Sequence, residues 1–231
     1  SSLVVEIGSN DGYLLANFVE RGIPVLGIEP AANIAAIAEE RGIPSRVEFF
    51  ERAVGRQVRE ESGPADLMVA NNVLAHVHEL HDFVGGFTEL LAPNGRATIE
   101  FPHLLKLMEQ VEFDTIYHEH FSYLSFLTVQ QVFAARGLTL FDVEEVDTHG
   151  GSLRIYARHQ ENEALPVTPR VAEWLAYERS RGLDSLPAYQ SFGRKVTATK
   201  RRLLEFLIDA KNRGKSVAGY GAPGKGNTLL N

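Results

Sequence analysis

Residues 3–7 (Leu-Val-Val-Glu-Ile) form a short apolar run that ends in Gly8-Ser9-Asn10-Asp11-Gly12, and apolar positions from Tyr13 to Val19 then recur at helical spacing. The pattern predicts strand, tight turn, helix. Val25 to Ile28 reads as a second strand, closing at Glu29-Pro30 before an alanine-rich helix that finishes near Arg41-Gly42. The alternation continues with strands at Val47–Phe50 and Asp66–Ala70, a helix over about 80–91, a turn at Pro93-Asn94-Gly95 and a strand from Arg96 to Phe101. Strands alternating with helices predict an α/β fold, a doubly wound parallel sheet covered on both faces.

Beyond residue 101 the pattern changes. Val129 to Arg136 reads as a helix stopped at Gly137. Leu138–Val146 and Ser152–Ala157 read as two strands flanking Thr148-His149-Gly150-Gly151, suited to an antiparallel pair at the sheet's far edge. Residues 160–169 are polar and contain proline, as a linker would, and about 170–213 carry helical periodicity with a charged, solvated face. Ser216 to Tyr220 reads as a new strand entering a glycine-rich turn, the start of a second α/β unit.

The chain has 231 residues, 44% of them hydrophobic, a formal charge of −7 and no cysteine. It is long enough for one sizeable core and a smaller appendage. Lack of cysteine excludes disulfides, Cys-ligated zinc, iron–sulfur clusters and a thiol nucleophile, and makes the cytoplasm the expected compartment. The acidic balance argues against nucleic acid as a partner, although Lys195, Lys200, Arg201 and Arg202 could serve a small anion. No apolar run approaches the roughly 20 residues of a membrane helix, so no membrane partner is expected. The chain opens on a strand without an initiating Met and stops where a helix has barely begun, and is therefore read as part of a longer protein.

Glu6-Ile-Gly8-Ser9-Asn10-Asp11-Gly12 lies where a strand hands over to a helix, a place where glycines admit a ligand and free N–H groups face it. Glu29 stands 21 residues beyond Gly8 at the end of the next strand, the station of a carboxylate that accepts ribose hydroxyls. The loop lacks the full pyrophosphate fingerprint and carries an acid before its first glycine. That favours a cationic ligand without pyrophosphate, and S-adenosylmethionine fits. An ordinary strand-to-helix turn is the plainer alternative.

With these pieces in place the chain resembles the class I methyltransferases, and more narrowly the sugar C-methyltransferases that act on nucleotide-linked 4-keto-deoxysugars. The resemblance rests on Glu6 to Gly12, Asn71-Asn72-Val73-Leu74-Ala75-His76, Tyr117-His118-Glu119-His120-Phe121-Ser122-Tyr123, His149-Gly150-Gly151-Ser152-Leu153-Arg154 and the run from Gly219 to Thr228. It implies a methyltransferase domain over 1–160 with a Rossmann-like sheet, a helical linker over 161–213, and at 214–231 the start of a substrate-binding unit. It further implies S-adenosylmethionine held by Glu6, Gly8, Ser9, Asn10, Gly12, Glu29, Asn71 and Asn72. The implied partner is a nucleotide-linked sugar, by resemblance thymidine-diphosphate-linked. Family members usually also carry an N-terminal cysteine-rich zinc domain, absent from these 231 residues.

Asn71 to His76 follow the fourth strand, at the carboxyl end of the sheet where open α/β folds bind ligands. His76, His78 and His81 have spacing that could feed a metal, but no cysteines or carboxylate cluster accompany them, and no metal is expected. Tyr117-His118-Glu119-His120 concentrates a phenol, two imidazoles and a carboxylate. A histidine can take a proton near neutrality, a carboxylate can orient it, and a phenol can donate to a developing oxyanion. From the residues alone, a polar surface turn anchored by Phe121 and Tyr123 is equally open.

Methylating carbon requires a base at a carbon beside a ketone and donors at the ketone oxygen. The resemblance assigns the base to His120, with Tyr117 and Glu119 binding or polarising the sugar, His76 nearby, and His118 as a substrate contact. His149-Gly150-Gly151 reads as a hairpin turn, with a substrate contact from His149 implied by the family. Gly219-x-Gly221-x-x-Gly224 matches a dinucleotide fingerprint literally. Gly221 and Lys225 could equally hold the diphosphate of a nucleotide-sugar, or the run could be a packing turn. Outside the family reading stand a small-molecule O- or N-methyltransferase and a nucleotide-binding module without turnover.

Overall fold

A computed structural model describes residues 2–221 and 224–230. Seven strands form one sheet in the order β3-β2-β1-β4-β5-β7-β6. They are β1 Val4–Ile7, β2 Val25–Ile28, β3 Ser45–Arg46, β4 Ala65–Asn71, β5 Leu91–Pro102, β6 Leu138–Val146 and β7 Ser152–His159. β1 to β5 pair in parallel, whereas β7 runs antiparallel between β5 and β6. The helices are α1 Ala16–Val19, α2 Ala32–Glu40, α3 Arg52–Ser62, α4 Leu80–Leu90, α5 Leu104–Gln110, α6 Phe126–Ala134, α7 Pro169–Ser180, α8 Leu186–Asn212 and α9 Gly224–Leu230.

The doubly wound arrangement follows from strand alternation, which sends successive side chains to opposite faces. Along β1, Val5 and Ile7 join the large core that includes Phe83 and Phe87 of α4, while Val4 joins a smaller cluster of Leu15, Val25, Ala38 and Ile43. Phe50, Phe83 and Phe87 pack edge to face with ring centroids 5.3–5.7 Å apart. A third cluster of Leu105, Leu127 and Leu183 joins α5 and α6 to the turn after α7.

Several elements depart from the sequence expectation. The strand at 47–50 shrinks to Ser45–Arg46: Val47 and Phe49 face solvent, and Phe50 is drawn under α4, which turns the chain away from the sheet edge. The helix expected from Tyr13 begins only at Ala16, because Asn10 and Gly12 take positive φ and turn the chain first. α3 was hidden by its composition, since only Val54, Gly55 and Val58 face inward. The turn at 93–95 is an excursion inside β5, between the pairs Ala65↔Leu91 and Leu67↔Arg96. Residues 216–220 form no strand. They are exposed, and among the described residues no strand lies beside them to satisfy their backbone groups. No described helix is long and apolar enough to cross a membrane.

Candidate functional site

Two cavities open at the carboxyl ends of β1, β2, β4 and β5, and they share Asn72 and His76. The first, about 630 Å³, is bounded by Gly8, Glu29, Phe49, Val73 and Phe121. Gly8 has φ +68°, and a Cβ there would stand 2.7 Å from Val73 Cγ2, so only glycine lets the loop pass so close to the β4 turn. Glu29 orients that loop: its carboxylate accepts the Asn10 N–H at 3.1 Å and the Ala31 N–H at 2.9 Å.

Around the same strand ends, Glu6 Oε2, Ser9 Oγ, Asn71 Oδ1 and Asn72 Oδ1 are buried without a protein partner. Such oxygens are costly to leave unpaired. Burial pushes the Glu6 carboxyl from its ordinary 4.5 up to about 8. Two amide oxygens, a hydroxyl and a carboxyl that would ionise against a neighbouring cation suit a ligand that brings N–H donors and positive charge. The amino acid moiety and sulfonium of S-adenosylmethionine meet that description, so the residues fit it.

The second cavity, about 200 Å³, lies between β5, α5 and the segment 112–123. Tyr117, His120, Tyr123, His149 and Lys225 line it, with Leu104 and Leu107 as an apolar wall. His120 Nδ1–H donates to the Thr115 carbonyl at 2.8 Å, and His76 Nδ1–H donates to the Glu119 carbonyl at 2.9 Å. A carbonyl can only accept, so each ring holds its proton on Nδ1 and keeps a lone pair on Nε2. The His76 and His120 ring centroids are 4.8 Å apart, and Tyr117 lies 4.7 Å from His120. Burial pushes the Tyr123 phenol up, keeping it a hydrogen-bond donor. Burial also raises Glu112, opposed by the nearby Lys225 charge.

Residues 1–143, well over half of the chain, match the family model described as "Methyltransferase domain". The chain belongs to this methyltransferase family. Residues 147–231 of this methyltransferase match a second model, "C-methyltransferase C-terminal domain". Over 228 residues it is 39% identical to the "C-methyltransferase NovU" of Streptomyces niveus, covering 99% of this chain and 54% of that relative. It therefore spans about half the length of that curated relative.

Among solved structures, the PH0226 protein of Pyrococcus horikoshii OT3 aligns with a TM-score of 0.56 at 14% identity, over 68% of this chain and 81% of that one. The magnesium protoporphyrin IX methyltransferase of Synechocystis PCC 6803, with bound SAH, aligns at 0.52 and 15% identity, over 68% of this chain and 73% of that one. These likenesses show a shared fold.

Not every residue singled out in the sequence reaches a cavity. Tyr117, His120, His149 and Lys225 line the second cavity, Gly8 and Glu29 line the first, and Asn72 and His76 line both; Glu6, Ser9, Asn10 and Asn71 line neither. The side chains of His118 and Glu119 are exposed and line neither, and Glu119 serves through its carbonyl. Gly12 packs against Ile43, and Gly221 is exposed. His78 stacks on Phe121 with centroids 4.0 Å apart. Among the described residues, no group of three or more His, Cys, Asp or Glu is placed to hold a metal ion.

Glu112, His103 and the phenol of Tyr123 were missed as site residues. His103 was open to detection, because it follows the β5 end in Glu100-Phe-Pro102 at the sheet's carboxyl edge. Glu112 carries no comparable local signal.

Proposed function

We propose that this protein is an S-adenosylmethionine-dependent C-methyltransferase acting on a nucleotide-linked keto-deoxysugar. The observation that carries the reading is the His120 ring, whose Nδ1–H is committed to the Thr115 carbonyl so that a free Nε2 remains on the wall of the second cavity, taken here as the acceptor cavity. S-adenosylmethionine in the larger cavity would supply an electrophilic methyl group. Everything else falls to the chain's own residues.

His120 Nε2 takes the proton from the carbon beside the sugar ketone, and the Thr115 carbonyl stabilises the imidazolium through Nδ1–H. Tyr117 and Tyr123 are phenols able to donate to the enolate oxygen as charge moves onto it. His76, which lines both cavities, orients the acceptor at their junction, held in turn by the Glu119 carbonyl. Leu104 and Leu107 accommodate the deoxygenated side of the ring. Lys225 on α9 supplies positive charge for a diphosphate, in keeping with residues 214–231 as the start of a substrate-binding unit. Enclosure between two cavities fixes the approach of donor and acceptor, which accounts for much of the acceleration.

The test is incubation with S-adenosylmethionine labelled in its methyl carbon and a thymidine-diphosphate-linked 4-keto-6-deoxysugar. The expected product carries the label on a ring carbon, read by carbon NMR. Label on oxygen or nitrogen, or none transferred, would overturn the assignment.

A further inference from the structure

At the wall of the acceptor cavity, which His103 helps to line, a buried pair plays no part in the proposed chemistry. His103 precedes α5 and Glu178 lies on α7, and neither side chain has exposed surface. His103 Nε2–H donates to Glu178 Oε1 at 2.6 Å. The same oxygen accepts the Phe126 N–H at 2.7 Å, and Oε2 accepts the Leu127 N–H at 2.7 Å. Phe126 and Leu127 open α6, where backbone N–H groups lack helical partners. Every partner donates, so the carboxylate serves purely as an acceptor.

The segments around the acceptor cavity meet at His103. Its N–H donates to the Gly151 carbonyl at 3.0 Å, fixing the hairpin that bears His149. It bridges to Leu124, and the Leu104 N–H donates to the Leu124 carbonyl at 3.0 Å, tying down the end of the segment that carries Tyr117, His120 and Tyr123. Trp174, the chain's single tryptophan, stands edge-on to the ring with centroids 5.4 Å apart. Among the described residues His103 Nδ1 is buried with no partner, so the bond to Glu178 is the ring's one polar anchor there. A polar atom left unpaired in the interior calls for an explanation beyond cohesion, since an apolar side chain would fill the space without that penalty.

We propose that Glu178, acting through His103, positions the acceptor-cavity wall and with it the His120 base, so that α7 is a working part of the catalytic unit. Both act as positioning residues: Glu178 lies behind the cavity and reaches it only through His103, which forms part of its wall. The activity readout rests on the function proposed above, whereas the spectroscopic one does not.

The test uses the full chain with Glu178→Gln, His103→Gln and His103→Leu. Glutamine at 178 cannot accept all three donors, because its amide nitrogen faces one of them. Glutamine at 103 can still donate to Glu178, and leucine cannot. In long-range proton–nitrogen spectra of the histidine rings, the parent is expected to show His120 with its proton on Nδ1. Glu178→Gln and His103→Leu should move His120 toward a mixture of both tautomers, while His103→Gln keeps the parent pattern.

In parallel, the kcat of methyl transfer should fall about tenfold or more in Glu178→Gln, as expected when a base is misplaced by a fraction of an ångström. The thermal shift given by S-adenosylhomocysteine should be unchanged. A Glu178→Gln protein that melts cooperatively but keeps both the parent His120 signature and the parent kcat overturns the proposal. Where that variant does not fold, the two His103 variants decide: a parent-like His120 signature in His103→Leu overturns it. A parent protein that transfers no methyl counts against the proposed function, and the tautomer spectra still decide the positioning role.

Discussion

Replacing His120 with asparagine is expected to lower methyl transfer by 10²–10⁴-fold, the usual worth of a positioned general base, while the thermal shift given by S-adenosylhomocysteine stays at the parent value. Asparagine isolates the chemistry. Its side-chain amide can still donate to the Thr115 carbonyl as His120 Nδ1–H does, but it has no lone pair where Nε2 stands. The local fold is therefore kept and the base alone removed. Donor binding should survive, because His120 lines only the acceptor cavity. His118→Asn is the internal control: that side chain is exposed, and its variant should turn over like the parent. Parallel steady-state kinetics check both, and a fully active His120→Asn protein removes the proposed base.

Glu6→Gln is expected to stabilise the ligand-free protein at alkaline pH while weakening its hold on the methyl donor. Burial raises the Glu6 carboxyl to about 8, so between pH 4.5 and 8 the native state retains a proton that the unfolded chain has lost. The parent therefore loses stability on this account as pH rises through that window, and the loss is complete above pH 8. Each pKa unit corresponds to about 1.4 kcal/mol, so the whole shift amounts to several kcal/mol, or roughly 10 °C in melting temperature for a chain of this length.

Glutamine cannot ionise and escapes the loss. Its melting temperature should match the parent near pH 5 and exceed it at pH 9. The variant also lacks a carboxylate to meet an ammonium group, so S-adenosylhomocysteine should raise its melting temperature far less. Thermal melts across pH, with and without that ligand, check both halves. Identical pH profiles for parent and variant would contradict the assignment of Glu6.

The parallel sheet was legible because β1, β2, β4 and the second half of β5 are largely buried and read as short, mostly apolar runs. β6 and β7 announced themselves by the His149-Gly150-Gly151 turn between them. Elements at the surface were harder to read. The apolar Val47 and Phe49 suggested a strand that the structure does not form, and α3 hides three inward positions in a charged stretch.

The same division holds in the site. Gly8, Glu29 and Asn72 were expected beside a crevice, and they do line the first cavity, because the ends of parallel strands open there whatever the details. In Tyr117 to His120 the composition was visible but the facing was not. Four consecutive residues in a turn cannot all address one cavity, and the chain aims the first and fourth inward while His118 and Glu119 meet solvent. The His103–Glu178 pair joins positions 75 residues apart, and only the docking of α7 brings them together. No local spacing could reveal it.

The most direct test of the central claim, that His120 Nε2 removes a proton from carbon, is hydrogen exchange at the acceptor. A thymidine-diphosphate-linked 4-keto-6-deoxysugar is incubated in deuterated water with the protein and S-adenosylhomocysteine, and deuterium is followed by NMR at the carbons beside the ketone. The account predicts enzyme-dependent incorporation at one of those carbons by the parent and none by His120→Asn. Equal incorporation by both proteins, or methyl transfer to the sugar without any exchange-competent base, would contradict it.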